Sequence, residues 1–351
     1  MKLLLVSKDL GGAQVIVPLA EVAMGCRNEL IVVTEGLAQW QFASSQVPLY
    51  FQGTSNFLEV PFSLDVDKLI ERVEPDLVVV SLGSPINLED KLALAANRAG
   101  VPLVLVEDCH GAHVRTAAKP QLVLTLDEYA AGLVRRAHPQ ARVEIVGNPG
   151  VSLPKKADDL ERAAQNTGVA NLRRLGVRTY AYVGGDPIST EEQLRLLINC
   201  LEQTSGDWIL IPRFHPKWVN VRCDRVPGFT YGEYWSRLLV PLGDRVKLNL
   251  PGDAHELVAS VDVTIADYST LLTFAVCCGK TAVFLETPSV IRSMVESTGL
   301  AKFPLVELGC AHCVRQSVDL SSCGPPQQDK LQDLRPYDPE LAYRHLSSLL
   351  R

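Results

Sequence analysis

The 351-residue chain is predicted to form two α/β domains, each a Rossmann-like, doubly wound parallel sheet, facing one another across a cleft. Three observations carry this expectation. Apolar runs of strand length alternate with segments of helical spacing from the first residues onward. These runs are apolar at successive positions rather than alternate ones, so both of their faces need cover, as in a parallel sheet between two layers of helices. The alternation stops at Gly147-Asn148-Pro149-Gly150 and then restarts, dividing a chain too long for one compact α/β core.

In the first half the strands read KLLLVS (2–7), ELIVVTE (29–35), DLVVVSL (76–82), PLVLVED (102–108), LVLTLD (122–127) and VEIVGN (143–148). Helical spacing fills residues 12–25 and the stretch NLEDKLALAANRAG. After the break comes a charged, helix-like stretch with Lys155, Lys156, Asp158, Asp159, Glu161 and Arg162, which sets the boundary between a first domain at 1–150 and a second at 151–351. The second domain's strands read TYAYVGG (179–185), DWILIPRFHP (207–216), VKLNL (246–250), DVTIAD (262–267) and TAVFLET (281–287), with helices over 190–204 and 269–279. A closing helix over 339–351 is expected to pack back across the hinge.

Composition narrows the function classes. With 47% hydrophobic and 21% charged residues the chain reads as globular throughout, and a net charge of -6 argues against a nucleic-acid partner, whose backbone is bound by clustered Lys and Arg. The opening apolar run ends at Ser7-Lys8-Asp9, too short for a signal peptide, and no other run approaches the ~20 residues of a membrane span, so the chain is read as cytoplasmic. Its nine cysteines are scattered, as expected of reduced thiols. Cys310, His312, Cys313 and Cys323 have zinc-ligand types but lack a second paired knuckle, so no metal site is expected there. A homo-oligomer is compatible with the sequence.

In open parallel sheets ligands bind at the carboxyl ends of strands, where helix N-termini and free N–H groups point outward. Gly11 and Gly12 follow the first strand, so the backbone there can approach a phosphate or sugar, although the G-x-G-x-x-G spacing of a dinucleotide site is absent. The turn Glu107-Asp108-Cys109-His110-Gly111-Ala112-His113 sets two carboxylates and two imidazoles after one apolar strand. A carboxylate beside a histidine orients it and raises its basicity, which makes His110 or Asp108 the base candidates, with Glu107 in support. In the second half Gly184 and Gly185 end one strand, and Arg213, His215 and Lys217 concentrate positive charge at the end of another, where a departing diphosphate gains negative charge. Asp267 leads into Ser269 and Thr270, which offer hydroxyls and N–H groups to phosphate oxygens at a helix start.

The succession of Gly11-Gly12, VEDCHG, IVGNPG, RFHPK and ADYST resembles the glycosyltransferase-B superfamily. Within it, ADYSTLLTFAVCCGK is similar to the "TDYSS…FA…GK" stretch of CDP-glycerol glycerophosphotransferases and to the Ser/Thr motif of bacterial sialyl- and capsule-transferases, enzymes of polysaccharide biosynthesis. RFHPK is similar to their His-Pro motif. The resemblance implies that His215, Ser269 and Thr270 bind the phosphates of a UDP, CDP or CMP donor, with no further cofactor, and that Glu107, Asp108 and His110 supply the base. More distantly, LVEDCHGAHVRT resembles "HVEAGLRT" of the non-hydrolysing UDP-N-acetylglucosamine 2-epimerases. Those enzymes carry "DSGGxQEE" where this chain has Asp267-Tyr268-Ser269-Thr270-Leu271-Leu272-Thr273-Phe274, without the glycines and glutamates.

The leading expectation is therefore a glycosyltransferase moving a sugar from a nucleotide donor to a hydroxyl acceptor, with acceptor specificity in first-domain loops such as 36–62. A nucleotide-sugar epimerase or hydrolase, and a non-catalytic nucleotide-binding relative, are the alternatives. The single D-x-D, Asp65-Val66-Asp67, sits at a polar helix start far from any strand end, so the expected mechanism is metal-independent.

Overall fold

A computed structural model describes residues 1–49, 51–52, 65–83, 88–151, 157–331 and 334–350. The chain divides into two compact units: Met1–Val151 with Ser297–Gly299 and Asp333–Arg351, and Ser152–Glu296 with Leu300–Gln332.

In the first unit the strands are β1 (Lys2–Ser7), β2 (Glu29–Thr34), β3 (Phe51–Gln52), β4 (Leu77–Val80), β5 (Leu103–Val106), β6 (Leu122–Thr125) and β7 (Arg142–Ile145). They pair in the order β3-β2-β1-β4-β5-β6-β7, parallel throughout. The helices between them are α1 (Leu10–Gly25), α2 (Ala38–Ala43), α3 (Val66–Val73), α4 (Leu88–Ala99) and α5 (Glu128–Ala137). The side-chain period of a strand splits the apolar residues between two faces. Leu3, Leu5, Leu77, Val79, Val104 and Val106 join α1 in one core, while Leu4, Val6, Val78, Val80, Leu103 and Leu105 join α3 and α4 in the other. Each such side chain removed from water contributes about 1.5–3 kcal/mol.

The second unit carries β8 (Arg178–Gly184), β9 (Trp208–Phe214), β10 (Val263–Ala266), β11 (Thr281–Leu285) and β12 (His312–Val314), in the parallel order β12-β11-β10-β8-β9. Its helices are α6 (Ala157–Asn166), α7 (Val169–Arg174), α8 (Thr190–Gln203), α9 (Pro216–Val219), α10 (Tyr231–Leu238), α11 (Ala254–Ser260), α12 (Thr270–Cys277), α13 (Pro288–Thr298) and α14 (Pro304–Glu307). Tyr180, Tyr182, Leu210, Val263 and Ile265 pack with Leu194, Leu197 and Trp235 in one core. Strand order reverses between β1 and β4 in the first sheet and between β8 and β10 in the second, and at such switch points the loops diverge to leave room for a ligand.

Several expectations are corrected. VKLNL at 246–250 is not a strand: Val246 alone bridges to Leu210, and Asn249 adopts a left-handed φ of 58°, which breaks an extended run. The two short edge strands β3 and β12 are additions to the sequence reading. The second domain does not run to 351, because the closing helix, Pro339–Ser347 followed by a turn of 3₁₀-helix, belongs to the first unit. There Ala342 and Leu346 lie in the core with α1, Tyr337 donates its hydroxyl to the Val15 carbonyl, and Asn148 pairs with Pro336. Lys155, Lys156 and most of the loop at 36–62 lie outside the described residues. Among the described residues no helix is long and apolar enough to cross a membrane.

Leu346 is fully buried, so Leu346→Ala should cost about 2–5 kcal/mol in urea unfolding, whereas Leu350→Ala, at a site 40% exposed, should change stability by less than about 0.5 kcal/mol.

Candidate functional site

At the carboxyl edge of the first sheet the loops after β1, β4 and β5 close on one another, and glycines make the approach possible. A Cβ on Gly11 would collide with the Asp108 carboxylate; one on Gly12 would lie 2.8 Å from Ser7 Oγ and 3.0 Å from Ser81 Oγ; one on Gly83 would lie 2.5 Å from Asp9 Oδ2 and 2.9 Å from Glu89 Oε1. The openness expected at Gly11-Gly12 is thus filled by side chains of the chain itself. Asp108 is buried, its Oδ1 has no hydrogen-bond partner, and burial, opposed by nearby Arg115, raises its carboxyl above the usual range. Glu89 is fully buried, accepts from the Gly83 N–H at 3.3 Å, and is pushed up to about 8 by burial and by the charge of Asp9. Arg115 is tied down by the Leu82 carbonyl at 2.6 Å and the Ser297 carbonyl at 3.0 Å.

The acid–imidazole turn separates into two pairs. Glu107 accepts from the His113 backbone N–H at 3.1 Å, lies 2.7 Å from its Nδ1, and takes the Thr125 hydroxyl on its other oxygen at 2.5 Å. Both carboxylate oxygens are spent inside the fold, and Glu107 and His113 are only 1% and 3% exposed, which corrects the expectation that Glu107 supports His110. The partner of His110 is Asp127, whose Oδ2 lies 2.8 Å from Nε2. Asp127 also caps α5 by accepting from the Ala130 N–H at 2.8 Å, which fixes the carboxylate before the imidazole meets it. Burial opposes its charge, but the bond to His110, that ring's charge and the helix N–H groups outweigh burial and hold the Asp127 carboxyl below its usual range. His110 retains 11% side-chain exposure, with the Tyr129 ring edge-on to it.

At the carboxyl edge of the second sheet the loops after β8 and β9 touch. Gly185 has φ of 135°, and a Cβ there would lie 2.6 Å from the His215 nitrogen, which donates to the Gly184 carbonyl at 2.6 Å. His215 is the N-cap of α9, accepting on Nδ1 from the Lys217 N–H at 3.1 Å, and its side chain is exposed. Arg213 donates to the Leu250 carbonyl at 2.8 Å, and its Nε is buried without a partner. After β10, Ser269 caps α12, accepting from the Leu271 N–H at 3.2 Å, and Thr270, the first helical residue, is exposed. Asp267 stands beside Asp186, and burial followed by that neighbouring charge pushes it up to about 7; Gln193 donates to it at 3.5 Å. The structure thus gathers Gly184, Gly185 and His215 directly and sets Asp267, Ser269 and Thr270 on the strand beyond the switch point.

Asp127, Glu89, Arg115 and Gln193 are absent from the sequence reading. Asp127 carried a readable signal, an aspartate directly before a helical segment with Glu128 in its first turn. Glu89 carried none, since an acid in the first turn of LEDKLALA looks like an ordinary exposed helix start. Away from these edges the Cys310 thiol donates to the Lys330 carbonyl at 3.3 Å, the Cys313 thiol to Glu286 at 3.2 Å, and His312 meets the Gly324 carbonyl at 2.8 Å.

Asp267 gives the site a pH signature. The folded chain keeps this carboxyl protonated to about pH 7, while the unfolded chain ionises near 3.8. Between those values the folded state holds the extra proton, so stability falls as pH rises through the window. Asp267→Asn should flatten that decline and raise stability at pH 8 by on the order of 2 kcal/mol relative to wild type, measured by urea unfolding at pH 4, 6 and 8.

No protein-family model and no curated protein matches the chain. Solved structures do, over almost the whole length of both partners. S. aureus MnaA with UDP aligns with a TM-score of 0.64 at 14% identity, covering 99% of this chain and 96% of that one. Anabaena HepE with UDP and glucose aligns at 0.60 and 16%, covering 100% and 99%. The Methanocaldococcus jannaschii UDP-GlcNAc 2-epimerase with UDP-GlcNAc and UDP aligns at 0.60 and 13%, covering 100% and 93%. Two parallel sheets in these strand orders, with neighbours of this kind, mean that the chain has the glycosyltransferase-B fold.

Proposed function

We propose that the chain is a metal-independent glycosyltransferase that moves a sugar, or a similar group, from a nucleotide-activated donor to a hydroxyl acceptor. The observation that carries this reading is the pair of His110 and Asp127, 2.8 Å apart and almost buried. With Asp127 accepting from Nε2–H, the lone pair of Nδ1 is free to take the acceptor's proton, and the carboxylate stabilises the imidazolium that results. Such a base contributes about 10²–10⁴-fold. Burial raises the carboxyl of Asp108, two residues from His110 in the same turn.

The second unit supplies the donor's binding groups. Arg213, His215 and Lys217 bring positive charge to the departing phosphate, and the N-terminus of α12 adds the hydroxyls of Ser269 and Thr270 with its helix dipole. Gly184 and Gly185 let the backbone come close, and Asp267, pushed up to about 7, repels a phosphate less than an ordinary aspartate does below that pH. The one D-x-D is already engaged, Asp65 capping α3 and Asp67 pairing with Arg98 at 2.7 Å, which supports donor activation by fixed cations and dipoles. UDP in the MnaA and HepE structures favours a UDP donor over CDP or CMP.

Epimerisation of a nucleotide-sugar is the second reading, favoured by the neighbouring 2-epimerase and opposed by the missing glycines and glutamates between Asp267 and Phe274. Incubation with UDP-, CDP- and CMP-linked sugars, with and without acceptor hydroxyls, read by mass spectrometry, separates the two. Acceptor-dependent nucleotide release is expected, lowered 10²–10⁴-fold in His110→Ala and less in Asp127→Asn, with His215→Ala chiefly raising KM for the donor. An isomerised sugar still attached to nucleotide would replace transfer with epimerisation, and UDP binding without consumption of any donor would make the chain a non-catalytic relative.

A further inference from the structure

The amino edge of the second sheet carries a separate cationic cavity. β8, β10 and β11 begin side by side, with Tyr180, Val263 and Thr281 in register, and below them opens a cavity of about 540 Å³. Arg173 from the last turn of α7, Arg178 at the start of β8 and Lys280 immediately before β11 line it, with Asp262 as the one carboxylate among its lining residues. This edge lies a strand length, about 13 Å at ~3.3 Å per residue, from the loops that carry Asp267 and His215.

Helix C-termini at this edge account for part of the charge. Arg173 donates to the carbonyl of Ser260 at the end of α11, a favourable position for a cation. Arg178 donates to the Ser321 carbonyl at 2.7 Å and the Cys323 carbonyl at 2.6 Å. Neither arginine is neutralised by these bonds. Asp262 takes the Thr179 N–H at 2.8 Å and the Thr179 hydroxyl at 2.7 Å on one oxygen, and its other oxygen is 3.9 Å from Arg173 Nε, beyond hydrogen-bond reach. Nε of Arg173 is buried without a hydrogen-bond partner, and Asp262 is the carboxylate whose charge favours that of Lys280. Burial, and then the charge of Arg173, hold Lys280 below the usual lysine range. Three cations therefore converge with one carboxylate among them, which offsets only part of their charge. Gly176 and Gly279 line the opening, and a Cβ on either would meet nothing within 4 Å.

We propose that this cavity binds a small phosphate-bearing anion, a phosphate or diphosphate group held between Lys280 and Arg173, with Arg178 adding to the field. A guanidinium beside an ammonium suits phosphate oxygens, and an anion there relieves the repulsion between the cations. The site is distinct from the proposed donor site and does not depend on it.

Two measurements on the full chain test this. In the first, pyridoxal phosphate serves as an anionic probe: its aldehyde condenses with a lysine amine, releasing water, and borohydride reduces the imine for peptide mapping. Lys280 should be the lysine labelled first, and inorganic pyrophosphate should slow that labelling at least tenfold. In the second, calorimetric affinity for inorganic pyrophosphate at constant ionic strength is measured in the His215→Ala background, which weakens the proposed donor site, and should fall at least tenfold when Lys280→Met is added. Unlabelled Lys280, labelling indifferent to pyrophosphate, or equal affinity with and without Lys280→Met in that background would overturn the proposal. The labelling arm uses wild type and decides the matter even where Lys280→Met folds poorly.

Discussion

Runs such as Leu77–Val80 and Thr281–Leu285 are buried at every residue, and this burial of both sheet faces is the constraint on which the remainder depends. A strand covered on both sides can present no chemistry along its length. Its backbone groups are satisfied by neighbouring strands, its side chains by the two cores, and polar function is driven to the ends. Ends are of two kinds. At the carboxyl edges helices begin, with free N–H groups and partial positive charge; at the amino edges they finish, with carbonyls and partial negative charge. The capping groups follow that division, with Asp127 and Ser269 at helix starts on the carboxyl edges and Arg173 on the carbonyl at the end of α11 on the amino edge.

At the carboxyl edge of the first sheet the packing is unusual in its polarity. Asp9, Ser7, Ser81, Glu89 and Asp108 crowd three glycines closely enough that any other residue there would displace a carboxyl or hydroxyl. Burying several acids together is tolerable when some retain their protons, and the raised positions of Glu89 and Asp108 are what that requires. A neutral carboxyl buried at a strand end can donate a hydrogen bond, a capability an exposed one lacks near neutrality. The contrast with Asp127 is instructive: an imidazole and a helix start favour its charge, so two neighbouring loops shift their carboxyls in opposite directions.

Much of the fold was legible because its strands are apolar end to end and its loops are marked by glycine, and the break at Gly147–Gly150 fell where the chain leaves the first unit. What escaped was set by distant contacts. VKLNL has strand composition, yet it forms only the isolated bridge of Val246 to Leu210, and the left-handed Asn249 ends the extended run. The closing helix was seen as a helix, but its membership of the first unit rests on Ala342 and Leu346 meeting α1, a contact across most of the chain. The site was legible as a cluster of residue types and not as a set of partnerships. Three residues apart in one turn, Glu107 and His110 suggested one another, but the turn sends them to different partners, His113 and Asp127.

Because the first unit is assembled from residues 1–151, 297–299 and 333–351, the chain passes between units at four points. No single cut yields either unit whole. During synthesis the first sheet emerges early but lacks the helix that completes one of its cores until residues 339–347 follow, after the second unit has been made. The two units are therefore woven rather than strung, and completion of the first awaits synthesis of the second.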